Sequence, residues 1–334
     1  MKAVVYKCNQ NKTELMKIQK PELNNDEAMV KVKYAGICGA DLALIKGERK
    51  IISDVIPGHE IIGIVTAVKN GDKNLIGKRV AVEPTISCGD CQMCKLDLPH
   101  ICYNLKVLGV HVSGGMAEYV KVPAKKLHII PDRITNERAA IIEPLAVAIH
   151  VVRRSRLEIG DNVLIVGGGP IGLLIAQICR AAGAGKIKII EINPFRQNLC
   201  RQLGFDSFAP DENINNSEKA YGFAGFDICY EVSGSNGGME QIIRNVRGQG
   251  KVIIVGLFKE SYPIKFSEVL FKELELIGSR VYRSHDFDIA IELLLSDKIN
   301  VEPIITNILK LENFEKGFKL ASDGKAMKVI LEVN

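Results

Sequence analysis

The chain has 334 residues, of which 47% are hydrophobic and 25% are charged, and its formal net charge is +5. This length suits two domains, and this composition excludes a disordered chain. The positive charge is spread along the sequence without a Lys/Arg block, so it does not predict a nucleic-acid partner.

No membrane segment or secretory signal is expected either. No apolar stretch approaches the roughly 20 residues that span a bilayer, and the first residues lack the apolar run of a signal peptide. The nine cysteines are an odd number, which favours a reducing compartment in which thiols bind metal over a disulfide framework. We therefore predict a soluble, cytoplasmic protein.

The first predicted domain, residues 1–148, is rich in β-structure. Residues 30–34 alternate between apolar and polar side chains, and the runs at 60–68 and 78–82 are rich in β-branched residues. Turn-forming Gly and Asn residues separate these runs. Short strands at this spacing indicate a barrel or a sandwich.

Three segments of this domain carry possible metal ligands. Cys38 lies beside Gly39 in the first, His59 and Glu60 follow Gly58 in the second, and Glu143 precedes Pro144 in the third. We expect all three segments to be loops. Thiolate, imidazole and carboxylate are the ligand types of catalytic zinc sites. The sequence leaves open whether these side chains converge.

Four further cysteines have the spacing C-x2-C-x2-C-x7-C: Cys88, Cys91, Cys94 and Cys102. Four thiolates form the usual structural zinc site. An iron–sulfur cluster is the alternative, because the ferredoxin run also opens with C-x2-C-x2-C. That run closes with x3 and a following Pro, whereas Tyr103 follows the fourth cysteine in this chain, so the spacing favours zinc.

Residues 149–283 form the second predicted domain. Apolar runs predict strands at 162–166, 186–190, 226–230 and 251–255, and helices are predicted at 170–182 and 194–203. This alternation indicates parallel βαβ units in a doubly wound sheet. Residues 284–334, with a helix at 288–295 and a strand at 327–333, are expected to return to the first domain.

A glycine-rich turn opens the second domain. Gly167, Gly169 and Gly172 match G-x-G-x-x-G directly after a predicted strand, and Pro170 and Ile171 begin the following helix. Gly167 permits a tight turn, Gly169 allows the backbone to approach a pyrophosphate, and Gly172 allows close packing of the helix on the strand. The helix N-terminus would bind the anion.

Other residues of this domain specify the expected cofactor. Glu191 ends the second predicted strand, where an acid accepts hydrogen bonds from the adenosine ribose and favours NAD. Arg196 could instead receive the 2′-phosphate of NADP, which is the less favoured cofactor. Ser233 and Gly256 follow two later strands, at the edge where ligands of open α/β sheets bind, so we predict that they line the nicotinamide side.

Taken in order, these motifs resemble those of a known family. The Cys38–Asp41 segment, the Gly58–Glu60 segment, the four cysteines, the Glu143–Pro144 pair and the Gly167–Gly172 turn occur at matching intervals. They look like the zinc-dependent medium-chain dehydrogenases, nearest to the sorbitol, threonine and sugar-acid branch that includes L-galactonate and L-gulonate 5-dehydrogenases.

The resemblance implies an α/β protein with a GroES-like β-barrel catalytic domain, which carries both zincs, and a Rossmann domain. It implies that Cys38, His59 and either Glu60 or Glu143 hold the catalytic zinc, with Asp41 orienting the imidazole. The implied reaction transfers hydride between NAD and a secondary alcohol of a polyol or sugar acid. The implied assembly is a homodimer or homotetramer.

Two residues bear on how far the resemblance extends. Relatives carry Ser or Thr where this chain has Ala40, so we expect protons to leave through Glu60 or Glu143. A non-catalytic protein that binds NAD and zinc is the alternative function.

Arg280 resembles the arginine that reaches the active site in the polyol branch, and a guanidinium there suits a carboxylate substrate.

Overall fold

The structure is a computed structural model, and it describes residues 1–48, 51, 53–210, 212 and 225–334. The chain divides into two compact units. The first comprises Met1–Glu143, Arg283–Asp297 and Ile304–Asn334, and the second comprises Pro144–Tyr282 and Lys298–Pro303. The division near residue 143 lies earlier than the boundary at 148 drawn from the sequence, and residues 298–303 group with the second unit.

Strands dominate the first unit, whereas strands alternate with helices in the second. The strands are β1 (Lys2–Lys7), β2 (Lys12–Lys17), β3 (Glu27–Gly36), β4 (Glu60–Val68), β5 (Arg79–Val82), β6 (Thr85–Ile86), β7 (Lys106–Val107), β8 (Tyr119–Pro123), β9 (Leu127–Ile129), β10 (Val163–Val166), β11 (Ile187–Ile190), β12 (Asp206–Phe208), β13 (Phe226–Glu231), β14 (Val246–Ile254), β15 (Glu275–Gly278), β16 (Ile305–Lys310) and β17 (Lys328–Glu332). The α-helices are α1 (Gly39–Ile45), α2 (Gln92–Lys95), α3 (Asn136–Ala139), α4 (Ile142–Ser155), α5 (Pro170–Ala181), α6 (Pro194–Gln202), α7 (Asn236–Asn245), α8 (Phe266–Lys272), α9 (His285–Leu295) and α10 (Phe314–Ser322). No helix of the described residues is long and apolar enough to cross a lipid bilayer.

A seven-stranded sheet forms the frame of the first unit. Its order is β16-β17-β3-β4-β5-β9, and β8 also pairs with β3. All these pairs are antiparallel except β16–β17. The apolar side chains of the long strands point into one core, which includes Val30, Val32, Ile61, Val65 and Val80. The alternation at residues 30–34 and the β-branched runs at 60–68 and 78–82 therefore predicted β3, β4 and β5 correctly.

The second unit contains a six-stranded parallel sheet in the order β12-β11-β10-β13-β14-β15. From β10, strands β11 and β12 extend the sheet to one side, and β13, β14 and β15 then extend it from the other side of β10. This is the doubly wound order, and ligands bind at the carboxyl ends of the two strands where the order reverses. All four residues of β10 are buried, as expected for a strand with both faces covered. The predicted doubly wound sheet is confirmed.

The prediction that the three ligand-bearing segments are loops is wrong in part, because Gly39 begins α1 and Glu60 begins β4. The sequence predicts a loop at Glu143 and Pro144, but α4 begins at Ile142 and includes both residues. Proline is compatible with the first turn of a helix because the N–H groups there have no intrahelical partner. The X-Pro pair therefore marks the start of a helix at this position.

A buried polar network connects α9 to the sheet of the first unit. The carboxylate of Glu83 is 2% exposed and accepts hydrogen bonds from Lys126, Thr85 and Ser284. Burial raises the pKa of this carboxyl, but His128, the Lys126 ammonium and the Thr85 hydroxyl lower it by more, to about 2. His128 Nδ1 also lies 3.0 Å from Asp288 Oδ1 on α9.

We expect the Glu83→Gln substitution to lower the free energy of unfolding by about 3 kcal/mol at pH 7. The folded-state pKa lies below the ordinary carboxyl value, so the stabilisation is complete above about pH 5 and is lost as the pH falls toward 2. Urea unfolding of both proteins should therefore show the difference falling to about half at pH 3.

Glu14→Gln is the matched control, because Glu14 pairs with Lys12 at the surface. Exposed pairs contribute between about 0 and 1 kcal/mol, so this variant should resemble the unsubstituted protein at each pH. A difference for Glu83→Gln that does not change between pH 7 and pH 3 would contradict the assigned role of the Glu83 charge.

Candidate active site and metal centres

The four-cysteine lobe, residues 88–102, brings all four predicted thiols together. Four of the Sγ–Sγ distances are between 3.4 and 4.0 Å, and none of the nine cysteines forms a disulfide. Zinc–sulfur bonds of about 2.3 Å in a tetrahedron place neighbouring sulfurs about 3.8 Å apart. The lobe therefore fits a single zinc ion. A multi-iron cluster would hold its sulfur ligands farther apart, so the geometry disfavours the iron–sulfur alternative.

A second group of metal-ligand type lies in the same unit. Ligand atoms of Cys38, His59 and Glu60 lie within 4.8 Å of one another, and His59 and Glu60 are buried. Glu60 Oε2 and His59 Nδ1 make no hydrogen bond within the described part of the chain. Buried polar atoms without partners are costly, and a cation would satisfy the carboxylate oxygen. Thiolate, imidazole and carboxylate together fit zinc.

Asp41 fixes the segment that carries Cys38. Its carboxylate accepts hydrogen bonds from the backbone N–H groups of Cys38 (2.9 Å) and Gly58 (3.0 Å). Cys38 is the N-cap residue of α1, and Asp41 completes a capping box there. Asp41 Oδ1 also lies 3.8 Å from His59 Nδ1. Asp41 thus connects the two segments that supply the thiol and the imidazole.

Sheet register brings Glu60 close to the thiol. Glu60 begins β4 and pairs with Gly36, the last residue of β3, which Cys38 follows closely in sequence. A Cβ atom at position 36 would lie 1.9 Å from Glu60 Oε2. Glycine is therefore required at this position for the carboxylate to lie over the strand.

Negative charges surround the imidazole. Burial lowers the pKa of His59, but the charges of Cys38 and Asp41, together with Glu143, raise it well above its ordinary value. The group therefore has an excess of negative charge that attracts a cation. Glu143 is buried and contributes to this field, but it is not one of the three residues whose ligand atoms lie within 4.8 Å of one another.

Sequence reasoning missed Lys328. Its ammonium lies 2.6 Å from Glu60 Oε1, and the two side chains are 4% and 1% exposed. Burial lowers the pKa of Lys328, but the charges of Glu60, Cys38 and Glu143 raise it above the ordinary lysine value. One signal was available in the sequence, since Lys328 belongs to the mostly apolar run predicted as a strand at 327–333, and a lysine buried in such a run needs an anionic partner.

In the second unit, the glycine-rich turn connects β10 and α5. Gly167 has φ +108°, and a Cβ there would lie 2.9 Å from the backbone nitrogen of Ser233. A Cβ on Gly172 would lie 1.9 Å from the carbonyl oxygen of Gly167, so the helix packs directly on the turn. Gly169 caps α5, with Pro170 and Ile171 as the first helical residues. The turn therefore directs the helix N-terminus to the carboxyl end of β10.

Glu191 and Arg196 both lie at this turn. Glu191 is buried, and its carboxylate accepts hydrogen bonds from the backbone N–H groups of Gly168 (2.7 Å) and Asn193 (2.8 Å). A Cβ on Gly169 would lie 3.8 Å from Arg196 Nη1. The predicted ribose-binding acid and the predicted phosphate-binding arginine therefore flank the same glycine turn.

A third carboxylate organises the neighbouring loops. Glu231, the last residue of β13, is fully buried and accepts hydrogen bonds from Ser233 and from the backbone of Gly234. A Cβ on Gly256 would lie 2.6 Å from Glu231 Oε2. Burial raises the pKa of Glu231 despite these hydrogen bonds. Ser233 and Gly256 therefore lie together at the carboxyl edge of the sheet.

Arg280 follows β15 by two residues and is exposed. The backbone N–H of the preceding Ser279 donates to Ile254 O at 3.0 Å, which ties this segment to β14. The guanidinium is thus available to a ligand.

The doubly wound sheet with its glycine turn and the two donor groups of zinc type define a dinucleotide- and metal-binding protein of the oxidoreductase class. Comparison with known families agrees. Residues 24–132 match the family described as alcohol dehydrogenase GroES-like domain, and residues 170–296 match the family described as zinc-binding dehydrogenase.

Three curated relatives align along nearly the whole chain. The 2-dehydro-3-deoxy-L-galactonate 5-dehydrogenase of Pseudoalteromonas atlantica is 35% identical over 92% of both chains. The L-threonine 3-dehydrogenase of Idiomarina loihiensis is 32% identical over 94% of both. The D-arabitol-phosphate dehydrogenase of Enterococcus avium is 35% identical over 94% of this chain and 92% of its own.

Solved structures share the fold. A zinc-binding dehydrogenase from Sinorhizobium meliloti bound to NADP has a TM-score of 0.93 and 30% identity, and the match covers 99% of both chains. An alcohol dehydrogenase of Escherichia coli CFT073 in complex with NADH has a TM-score of 0.93 and 27% identity, covering 100% of this chain and 99% of its own.

The chain therefore belongs to the zinc-binding, medium-chain alcohol dehydrogenases. It is a zinc-dependent dehydrogenase that uses NAD(P), with a GroES-like domain and a Rossmann domain. The family, fold class and enzyme class predicted from the sequence are confirmed. None of these relatives favours the non-catalytic alternative.

We expect Glu191→Ala to lower kcat/KM for NAD by about 10- to 100-fold, because the substitution removes a charged hydrogen-bond acceptor and loosens the Gly168 turn. Steady-state kinetics with NAD and NADP on one substrate measures this, and the ratio should shift toward NADP. Arg196→Ala is the control and should leave kcat/KM for NAD within a fewfold. A parent enzyme that prefers NADP and loses activity only with Arg196→Ala would contradict the expected roles.

Proposed function

We propose that this enzyme oxidises a secondary alcohol of a sugar acid or polyol with NAD. The observation that carries the proposal is the group of Cys38 with the buried His59 and Glu60, whose ligand atoms lie within 4.8 Å of one another. A thiol, an imidazole and a carboxylate whose Oε2 makes no hydrogen bond to the described residues match a catalytic zinc site, which keeps one position for water or substrate.

We assign Cys38, His59 and either Glu60 or Glu143 as ligands of this zinc, and the four cysteines of residues 88–102 as ligands of a structural zinc. When bound, the catalytic zinc supplies a Lewis acid that lowers the pKa of an alcohol. Asp41 orients the imidazole through its contact with Nδ1.

Protons leave the site by carboxylate groups in this proposal. Ala40 cannot relay a proton, because its side chain has no hydroxyl. Glu60 Oε2 is buried and makes no hydrogen bond within the described residues, so this oxygen is able to accept a proton. Glu143 is the second candidate because its charge acts on the same imidazole.

Two single variants, Glu60→Gln and Glu143→Gln, test the carboxylate route, and we expect at least one of them to lower kcat by about 100-fold or more. The physical reason is the loss of the group that holds the proton. Measurements of kcat against pH, with zinc content determined for each variant, separate this effect from metal loss. Unchanged kcat and pH profiles in both variants would contradict the carboxylate route.

Glu191 supports NAD over NADP, since a carboxylate beside the ribose site repels a 2′-phosphate. Solved relatives carry NADH in one case and NADP in another, so the choice depends on this chain's own residues. One carboxylate oxygen of Glu191 accepts a hydrogen bond from Gly168 in the glycine turn, and the other accepts one from Asn193.

The substrate class is proposed from the relatives and from Arg280. Three relatives are named for 2-dehydro-3-deoxy-L-galactonate, L-threonine and D-arabitol phosphate. Each of these compounds combines an alcohol with an anionic group. An exposed guanidinium suits a carboxylate through paired hydrogen bonds. We therefore assign Arg280 as the reader of an aldonic-acid carboxylate.

NADH formation against a panel of aldonic acids, neutral polyols, L-threonine and simple diols tests this assignment. We expect turnover with aldonic acids, and we expect Arg280→Ala to raise their KM by about 10- to 100-fold. The neutral polyols serve as the control because they lack the carboxylate. An Arg280→Ala enzyme with unaltered KM for every substrate would contradict the role.

We also propose a homo-oligomer, a dimer or tetramer, in the cytoplasm. β15 is an edge strand of the six-stranded sheet, and exposed apolar side chains lie in the preceding segment: Leu257, Phe266, Leu270 and Phe271. Large apolar side chains exposed to solvent are expected at a protein interface. The unpaired thiols support a reducing compartment.

A further inference from the structure

The most deeply buried of the described lysine–carboxylate pairs joins Lys328 to Glu60. The ammonium lies 2.6 Å from Glu60 Oε1 and 3.2 Å from the carbonyl oxygen of Ile37. Replacing a buried ion pair by apolar residues is often neutral or stabilising, so stability alone does not account for a lysine at this position.

The sheet places the ammonium beside the metal-ligand group. β17 pairs with β3 so that Ile330 lies opposite Gly36, and β3 pairs with β4 so that Gly36 lies opposite Glu60. Lys328 precedes Ile330 by two residues, and its side chain therefore points to the same face of the sheet. The side chains of Lys328 and Glu60 meet above Gly36, where the absence of a Cβ atom leaves space for the carboxylate.

The two oxygens of Glu60 differ as a result. Oε1 is bound by the ammonium, whereas Oε2 is buried and makes no hydrogen bond within the described residues. Only one oxygen remains for a metal ion. The positive charge of Lys328 also reduces the effective negative charge that Glu60 presents to a cation.

From this geometry we propose that Lys328 is a positioning residue that keeps Glu60 a one-oxygen, exchangeable ligand of the catalytic metal. Held in this way, Glu60 can leave the metal when substrate binds. Without the lysine, the carboxylate would be free to bind through both oxygens and close the open coordination position. This inference rests on the proposed metal site at Cys38 and His59.

Charge balance supports the inference. Cys38, Glu60 and Glu143 each act on the ammonium of Lys328 as negative groups. A divalent ion and one ammonium together neutralise three such groups. Unpaired charges are costly in a buried site. Without the lysine ammonium, more negative charge is left for the metal ion to neutralise, so we expect the metal to bind more tightly.

The test replaces Lys328 by Met, which has a similar shape and no charge. We expect zinc affinity, measured by competition with a chelator, to tighten by at least about tenfold. In protein loaded with cobalt, we expect the visible d–d bands to lose intensity as the coordination number rises. Thermal stability should depend more strongly on added zinc than in the parent protein, because only the metal then neutralises Glu60.

Three further variants separate positioning from a structural role. Lys328→Arg retains the cation and should restore the parent cobalt spectrum. In a Glu60→Gln background, Lys328→Met should leave zinc affinity within about twofold, since the carboxylate it controls is gone. Lys126→Met breaks another buried pair, with Glu83, and should lower stability without changing the cobalt spectrum.

The outcomes are distinguishable. A Lys328→Met protein with the zinc affinity and cobalt spectrum of the parent would overturn the role of Lys328 and leave the proposed metal site intact. An equal effect of Lys328→Met in the parent and in the Glu60→Gln background would also overturn it. A parent protein that binds one zinc per chain, held by the four cysteines alone, would overturn the proposed metal site and this inference together.

Discussion

Buried negative charge that must be neutralised is the constraint on which the first unit depends. Cys38, Glu60 and Asp41 lie within a few ångströms of His59, in a region that water barely reaches. Backbone N–H groups at Asp41 and the Lys328 ammonium at Glu60 compensate part of this negative charge, and the proposed zinc ion would compensate the rest. The register of β17, β3 and β4 brings Lys328 and Glu60 together, so the sheet positions the side chains of the proposed metal site.

The second unit stabilises its buried acids through the backbone. Glu191 and Glu231 each end a parallel strand or directly follow one, and each accepts hydrogen bonds from backbone N–H groups of the adjoining turns. The carboxylates thereby hold open the loops at the carboxyl edge of the sheet, where a dinucleotide binds in this fold. A cofactor thus meets loops whose conformation is already fixed, which lowers the entropy cost of binding.

Family membership and substrate choice rest on different residues. The metal ligands and the glycine turn are features of the whole fold, so they define the reaction class. Relatives of similar identity are named for a sugar acid, an amino acid and a sugar phosphate, so overall similarity does not decide between their substrates. Arg280, which is exposed, is the residue for which the chain offers a chemical argument about substrate.

The sequence by itself determined the elements and the ligand types. Glycine spacing after an apolar strand predicted the turn from Gly167 to Gly172, and cysteine spacing predicted the lobe of residues 88–102, because both patterns are local along the chain. Tertiary structure alone decided that a carboxylate oxygen of Glu60 lies within 4.8 Å of the ligand atoms of Cys38 and His59, and that Lys328 binds Glu60. Residues 60 and 328 are far apart in sequence, and only strand register brings them into contact. Local patterns carry no information about such register, which is set by packing of the whole sheet.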